Sequence, residues 1–107
     1  MSAPDLIILT TTFPDRATAE RVTGLLVDAG LVICGQVGAD VLSIYLWEGR
    51  LCRTDEVGVV LKVLPDRLDL CLGELKLQHP YEIPQIIGWP SGVVSREYLV
   101  WAQGTNP

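Results

Sequence analysis

One histidine, three cysteines and a scatter of carboxylates are all that this sequence offers for catalysis or metal binding. His79 is the only imidazole, so any scheme that needs one must use it. Its unperturbed pKa near neutrality suits it to ligation or proton transfer. The plainer reading is a histidine at a helix C-terminus, where the helix dipole favours its protonated form. Cys34, Glu56 and His79 together offer sulfur, oxygen and nitrogen donors of the kind that attract copper or zinc. They lie far apart in the chain, and no C-x-x-C or H-x-x-x-H pair accompanies them. Cys71 falls on an apolar helical stripe and reads as core. Cys52 reads as accessible, with nothing adjacent that marks it as reactive. An odd number of cysteines without close pairs points to reduced thiols.

Glu56 and Lys62 share a strand parity and could meet a small polar ligand at a subunit boundary, or form a solvated ion pair worth only ~0–1 kcal/mol. Tyr45, Trp47, Tyr81, Trp89, Tyr98 and Trp101 could line a pocket, and aromatics serve equally well in an oligomer interface. The sequence contains no P-loop, G-x-G-x-x-G, nucleophile elbow or Ser/His/Asp series, so catalysis has no positive support.

These residues hang on a ribbon. From Val41 to Trp47 the chain alternates with a period of two, Leu42, Ile44 and Leu46 on one side and Ser43, Tyr45 and Trp47 on the other. The returning arm to Val63 puts Leu51, Val57, Val59, Leu61 and Val63 on one parity and Cys52, Thr54, Glu56 and Lys62 on the other. Joining the aliphatic rows on one face predicts a two-residue type II′ turn at Gly49-Arg50, with Tyr45 beside Thr54 and Ser43 beside Glu56. The aromatic and polar face then lacks a cover and is the expected place for function.

Around the ribbon, Leu6 to Thr12 reads as a central strand buried on both faces. Ala19, Val22, Leu25, Leu26 and Ala29 recur at helical spacing until Gly30, with Thr12 or Asp15 as cap. The stretch from Leu31 to Val37, followed by Gly38, reads as a bent or bulged strand. Pro65-Asp66 opens a second helix with Leu68, Cys71, Leu72 and Leu75 on one face, which Pro80 ends. Ile83 to Pro90 reads as an edge strand flanked by prolines, and Ser95 could cap a short last helix. Strand, helix, strand, strand, helix, strand is an α+β fold, the βαββαβ order of a ferredoxin-like sandwich with a long hairpin and a short C-terminal helix. One domain spans 5–103, and 104–107 forms a flexible tail.

At 107 residues the chain has a modest interior, yet 49% of residues are hydrophobic and mean hydropathy is +0.33, so assembly into an oligomer is expected. A net charge of −5 without a basic cluster excludes gripping a phosphate backbone, so nucleic acid is not an expected partner. The apolar runs are too short to span a bilayer, and 1–5 carries no basic n-region, which predicts no membrane association and a cytoplasmic location.

Ser43-Ile-Tyr-Leu-Trp-Glu-Gly49, Asp55-Glu56-Val57 leading to Lys62, His79-Pro-Tyr-Glu-Ile-Pro84 and Tyr98-Leu-Val-Trp101 stand in an order that resembles the CutA divalent-cation tolerance family. Cys34 fits as well, and the likeness runs from about Leu6 to Trp101. It implies a ferredoxin-like subunit in a homotrimer whose sheets face inward, with Tyr45, Trp47, Trp89, Tyr98 and Trp101 at the interface. It implies a role in the response to divalent metal ions, with Cu(II) or another divalent cation held weakly by Cys34, Glu56 and His79, and no organic cofactor or enzymatic activity. Architectural kinship with PII-type signalling trimers implies a second possibility, a small anionic ligand in a cleft between subunits at Trp47, Glu56, Lys62 and Tyr81. A ligand-free structural trimer is the third. The chain departs from the family's pattern at Gln36, Leu42, Leu46, Val63 and Gln85, mostly by losing polar groups.

Overall fold

In a computed structural model that describes residues 4–104, four strands and three helices follow in the order β1 (Ile7–Phe13), α1 (Arg16–Asp28), β2 (Cys34–Trp47), β3 (Arg50–Val63), α2 (Leu68–Gln78), β4 (Ile86–Pro90) and α3 (Arg96–Gly104). A 3₁₀ turn, Pro65–Arg67, leads into α2. Every pairing is antiparallel and the sheet order is β2-β3-β1-β4, the ferredoxin-like arrangement. The last helix runs to Gly104, one residue past the expected domain end, and the rest of the expected tail, 105–107, lies outside the described residues.

Local signals explain the element ends. The Asp15 carboxylate accepts the Thr18 N–H at 2.7 Å and so caps α1, leaving the Thr12 side chain for other use. Gly30, at φ +74°, turns the chain off that helix. Ser95 caps α3 by accepting the Tyr98 N–H at 3.3 Å. Strand β4 starts only at Ile86, three residues later than expected, because Pro84 leaves no N–H for a ladder.

One face of the sheet carries the core. Leu9 and Phe13 of β1 and Val57, Val59, Leu61 and Val63 of β3 pack beneath Ala19, Val22 and Leu26 of α1 and Cys71 and Leu75 of α2. Burial pushes the Cys71 thiol up to about 11, which keeps it protonated and unreactive. A smaller cluster of Leu6, Leu64 and Ala102 fastens α3. Strand β1 is central but fully covered on this face only, its other residues being partly exposed. In α1 the hydroxyl of Thr23 is buried with no hydrogen-bond partner. Thr23→Val keeps the shape and removes the orphaned group, so it is expected to raise stability by about 1 kcal/mol, read by urea denaturation; a loss of stability would show that the hydroxyl is satisfied in solution.

The ribbon differs from expectation in register. Its turn residues are Glu48 and Gly49, at φ +51° and +78°, the type I′ pattern of two positive φ values, instead of Gly49-Arg50 in a type II′ turn. Type I′ matches the strands' twist, which offsets the roughly 1 kcal/mol of holding a non-glycine residue left-handed. Tyr45 therefore faces Cys52, Ser43 faces Thr54 and Val41 faces Glu56. A two-residue slip leaves every side chain on its expected face. A bulge between Val37 and Asp40 then shifts the pairing by one, and the Arg16 guanidinium fastens it by donating to the Gly38 carbonyl at 2.8 Å. The ribbon's outer half projects beyond the helices, giving dimensions of 46 × 29 × 24 Å. There Leu42, Ile44, Leu46 and Leu51 are exposed on one face and Val41, Tyr45 and Trp47 on the other.

Candidate functional site

The face away from the helices bears a cleft of about 730 Å³ between the outer ribbon and the segment 80–85. Glu56 is its focus. It sits on β3, only 8% exposed, and its Oε2 accepts both the Tyr81 hydroxyl at 2.7 Å and the Thr12 hydroxyl at 3.1 Å. Burial pushes its carboxyl upward, but hydrogen bonds from Ser43, Tyr81 and Thr12 outweigh that and hold it below the ordinary carboxylate range. Glu56 is thus an anchored anion at neutral pH. The Tyr81 phenol is pushed the other way, by burial and by Glu56, so it stays a donor. Across the ribbon the Tyr45 and Thr54 hydroxyls are bonded at 2.9 Å. Tyr45, Trp47, Tyr81, Pro80 and Ile83 give the cleft its apolar walls, and Glu82, Gln85 and Cys52 lie along it.

His79 supports the cleft from the helix side. It follows α2 with extended backbone, 7% exposed, its ring stacked on Phe13 at 4.5 Å and 13°. Nδ1 accepts the Tyr81 N–H at 3.2 Å, and Nε2 lies 2.8 Å from the Thr12 carbonyl and 3.2 Å from the Thr11 hydroxyl. A carbonyl can only accept, so Nε2 carries the proton and the ring is neutral. The expected protonated histidine on a helix dipole is therefore replaced by a neutral clamp that ties Tyr81 to β1. Burial lowers its pKa more than the Thr12 hydrogen bond and Glu56 raise it. With the folded value depressed, the unfolded chain takes up the extra proton, so this stability is present above 6.5 and is lost as pH falls below it. Thermal denaturation should give a melting temperature that declines below that pH before the carboxylates titrate, and His79→Gln should flatten the decline; an unchanged slope would refute the clamp.

Of the residues expected to form sites, Trp47, Glu56 and Tyr81 meet in the cleft. Lys62 shares Glu56's parity but lies six residues along β3, roughly 20 Å away, beside Cys34 in the register and bonded to Gln36. The same spacing separates Cys34 from Glu56. Among the described residues, no group of three or more His, Cys, Asp or Glu side chains converges as a metal site. Trp89 is half exposed on edge strand β4. Tyr98 packs against Trp101 at 5.5 Å, and burial first, then Cys34, pushes its phenol up. The sequence placed Ser43 beside Glu56, and the two are hydrogen-bonded although the register puts Ser43 opposite Thr54; Thr12 as Glu56's other hydroxyl partner on the sheet, and Glu82, were not anticipated. The signal for Thr12 was three threonines ending a strand bound for the middle of the sheet.

Several comparisons bear on this geometry. The profile of the CutA1 divalent ion tolerance protein family matches residues 7–105. A divalent-cation tolerance protein CutA from Pyrococcus horikoshii is 35% identical over 96 residues, 90% of this chain and 93% of its own. Its counterpart from Pectobacterium atrosepticum is 32% identical over 97 residues, 91% of this chain and 88% of its own. A CutA1 crystal structure from a psychrotrophic Shewanella superposes with a TM-score of 0.93 at 32% identity, covering 99% of both chains. With the family profile spanning nearly the whole described fold, this chain belongs to the CutA1 divalent ion tolerance family.

Proposed function

We propose that this protein acts as a homotrimer in the response to divalent metal ions and meets a cation weakly at the Glu56 cleft. The observation that carries the reading is the anchored Glu56 carboxylate in a recess whose described lining contains no lysine or arginine. Copper is the expected cation by family resemblance, and the donor geometry limits how it is held. His79 would have to surrender the Thr12 carbonyl or the Tyr81 N–H to ligate. Cys34 can reach a cation at Glu56 only across a subunit boundary. Glu56 is thus the one expected ligand ready within a single chain, which accords with weak binding. The anionic-ligand alternative loses support because Lys62 stands apart from the cleft.

Trimer formation is favoured by the ribbon's uncovered outer half, by the open edges of β2 and β4, and by the exposure of Tyr45, Trp47, Trp89 and Trp101. The role is binding rather than catalysis, since the only imidazole is neutral and engaged at both nitrogens. A cytoplasmic location accords with three free cysteines. Among the described residues no helix is long and apolar enough to cross a membrane.

Native mass spectrometry of the purified protein, with and without copper, tests the reading. A trimer should take up copper that Glu56→Gln fails to retain, and Trp47→Ala should yield monomers or aggregates. A soluble monomer of the natural sequence, or copper uptake indifferent to Glu56, would overturn it.

A further inference from the structure

We propose that the outer face of α2 is a self-association surface, on which a second copy of this chain lays its own α2 antiparallel about a two-fold axis. The helix is apolar on both sides. Leu68, Cys71, Leu72 and Leu75 pack toward the sheet, while Leu70 and Leu77 stand opposite them, 62% and 75% exposed. A helix apolar all round is ordinarily covered all round. None of the residues expected at the trimer interface lies on α2, and a trimer whose sheets face inward turns this side outward.

Gly73 lies between the two leucines, about one turn from each. A Cβ there would meet nothing within 4 Å, so no packing inside the chain calls for a glycine, which weakens a helix interior relative to alanine. Between paired helices the bare backbone has a use, because the axes approach more closely where side chains are small. Charge decides the occupant. Asp69 and Lys76 flank the leucine stripe on one side, both exposed and neither ion-paired among the described residues. Their signs suit the helix's own dipole, and they also make the face complementary to itself. Reversal about an axis near Gly73 sets Leu70 of each copy against Leu77 of the other, and Asp69 of each against Lys76 of the other. A uniformly acidic or basic partner would meet one of these charges with its like. Two leucines and a glycine from each copy cover far less than the roughly 1,200 Å² of a standard interface, so pairing is weak and needs high concentration.

Pairing rests on the trimer reading only for its step size. The test is sedimentation velocity of the full-length protein at about 5 and about 500 μM subunit. Pairing joins subunits of different trimers, so at the higher concentration species should grow in steps of three chains. Leu70→Gln and Leu77→Gln, both at exposed positions and checked for fold by circular dichroism, should each weaken that growth by about tenfold. Asp69→Lys and Lys76→Glu should each weaken it by about threefold, and the two exchanged together should restore it, which a merely sticky surface would not do. Gly73→Ala should raise the urea midpoint and yet weaken association. Trimers alone at both concentrations, growth indifferent to both leucine changes, or a double exchange no better than the single ones would overturn the proposal. A chain that is monomeric at the lower concentration and forms Leu77-dependent dimers at the higher supports the pairing and sinks only the trimer reading.

Discussion

Truncating Phe13 to alanine is expected to cost about 4 kcal/mol of stability, among the largest effects of any single change here. Phe13 is 1% exposed and belongs to the main cluster between sheet and helices. Its removal takes apolar area from the core and leaves a cavity that β1 and β3, paired along Phe13↔Val57, cannot close by collapsing. It also strips the His79 ring of its stacking surface. The clamp on Tyr81 should loosen, and with it the hydroxyl that holds Glu56. Urea denaturation of both proteins at the same concentration gives the first effect, the common concentration holding the mass-action contribution of assembly equal between them. The second appears as weaker cation binding well below the unfolding midpoint. A loss under 1 kcal/mol would mean that the core repacks freely, and intact binding would mean that His79 holds without the stack.

The second large effect is expected at Gly88 in β4. A Cβ there would come within 2.4 Å of Leu9 Cδ2 and 2.8 Å of the Ile8 carbonyl oxygen. The leucine tip can turn aside, but the carbonyl belongs to the central strand and cannot. Gly88→Ala should therefore push β4 away from β1 and destabilise the fold by about 3 kcal/mol. Because β4 follows directly from the segment 80–85 that walls the cleft, amide exchange should quicken in β4 and in that segment together. Wild-type exchange in both would show that the sheet edge absorbs the methyl.

These two sites also mark what could and could not be read in advance. The order of elements was legible because Leu6–Leu9, the Ala19–Ala29 stripe and the Leu68–Leu75 stripe each state their own period, and the order of elements restricts the topology. Face assignment followed from parity, which is why Glu56, Tyr45, Cys52 and Trp47 were put on one surface. Distance along a strand is invisible to parity, and so Lys62 was grouped with Glu56 from the far end of the sheet; Cys34 was joined to it by donor type alone, and it lies beside Lys62. The turn was misplaced because Gly49 announces a positive φ without saying whether its neighbour shares it, and Glu48 does. A slip of two residues alters no alternation, so hydrophobic pattern alone could not correct it. His79 was read from helix electrostatics, whereas Phe13, Thr11 and Thr12, more than sixty residues away, decide its state. The family resemblance supplied the kinship, and the coordinates supplied Glu56's hydroxyl partners.

The bulge between Val37 and Asp40 works like a frameshift in a two-letter reading frame. Inward of it, even-numbered residues of β2 such as Cys34 and Gln36 share the face of Glu56; outward of it, the odd-numbered Ser43, Tyr45 and Trp47 do. One inserted residue thus chooses which of two messages the ribbon displays, the hydroxylic and aromatic one or the aliphatic one of Leu42, Ile44 and Leu46. While Arg16 holds the bulge in place, length changes between bulge and turn keep the cleft's wall only when made in pairs. With the bulge so held, deleting a single residue there would leave the composition nearly untouched and swap the aromatic wall for leucine and isoleucine.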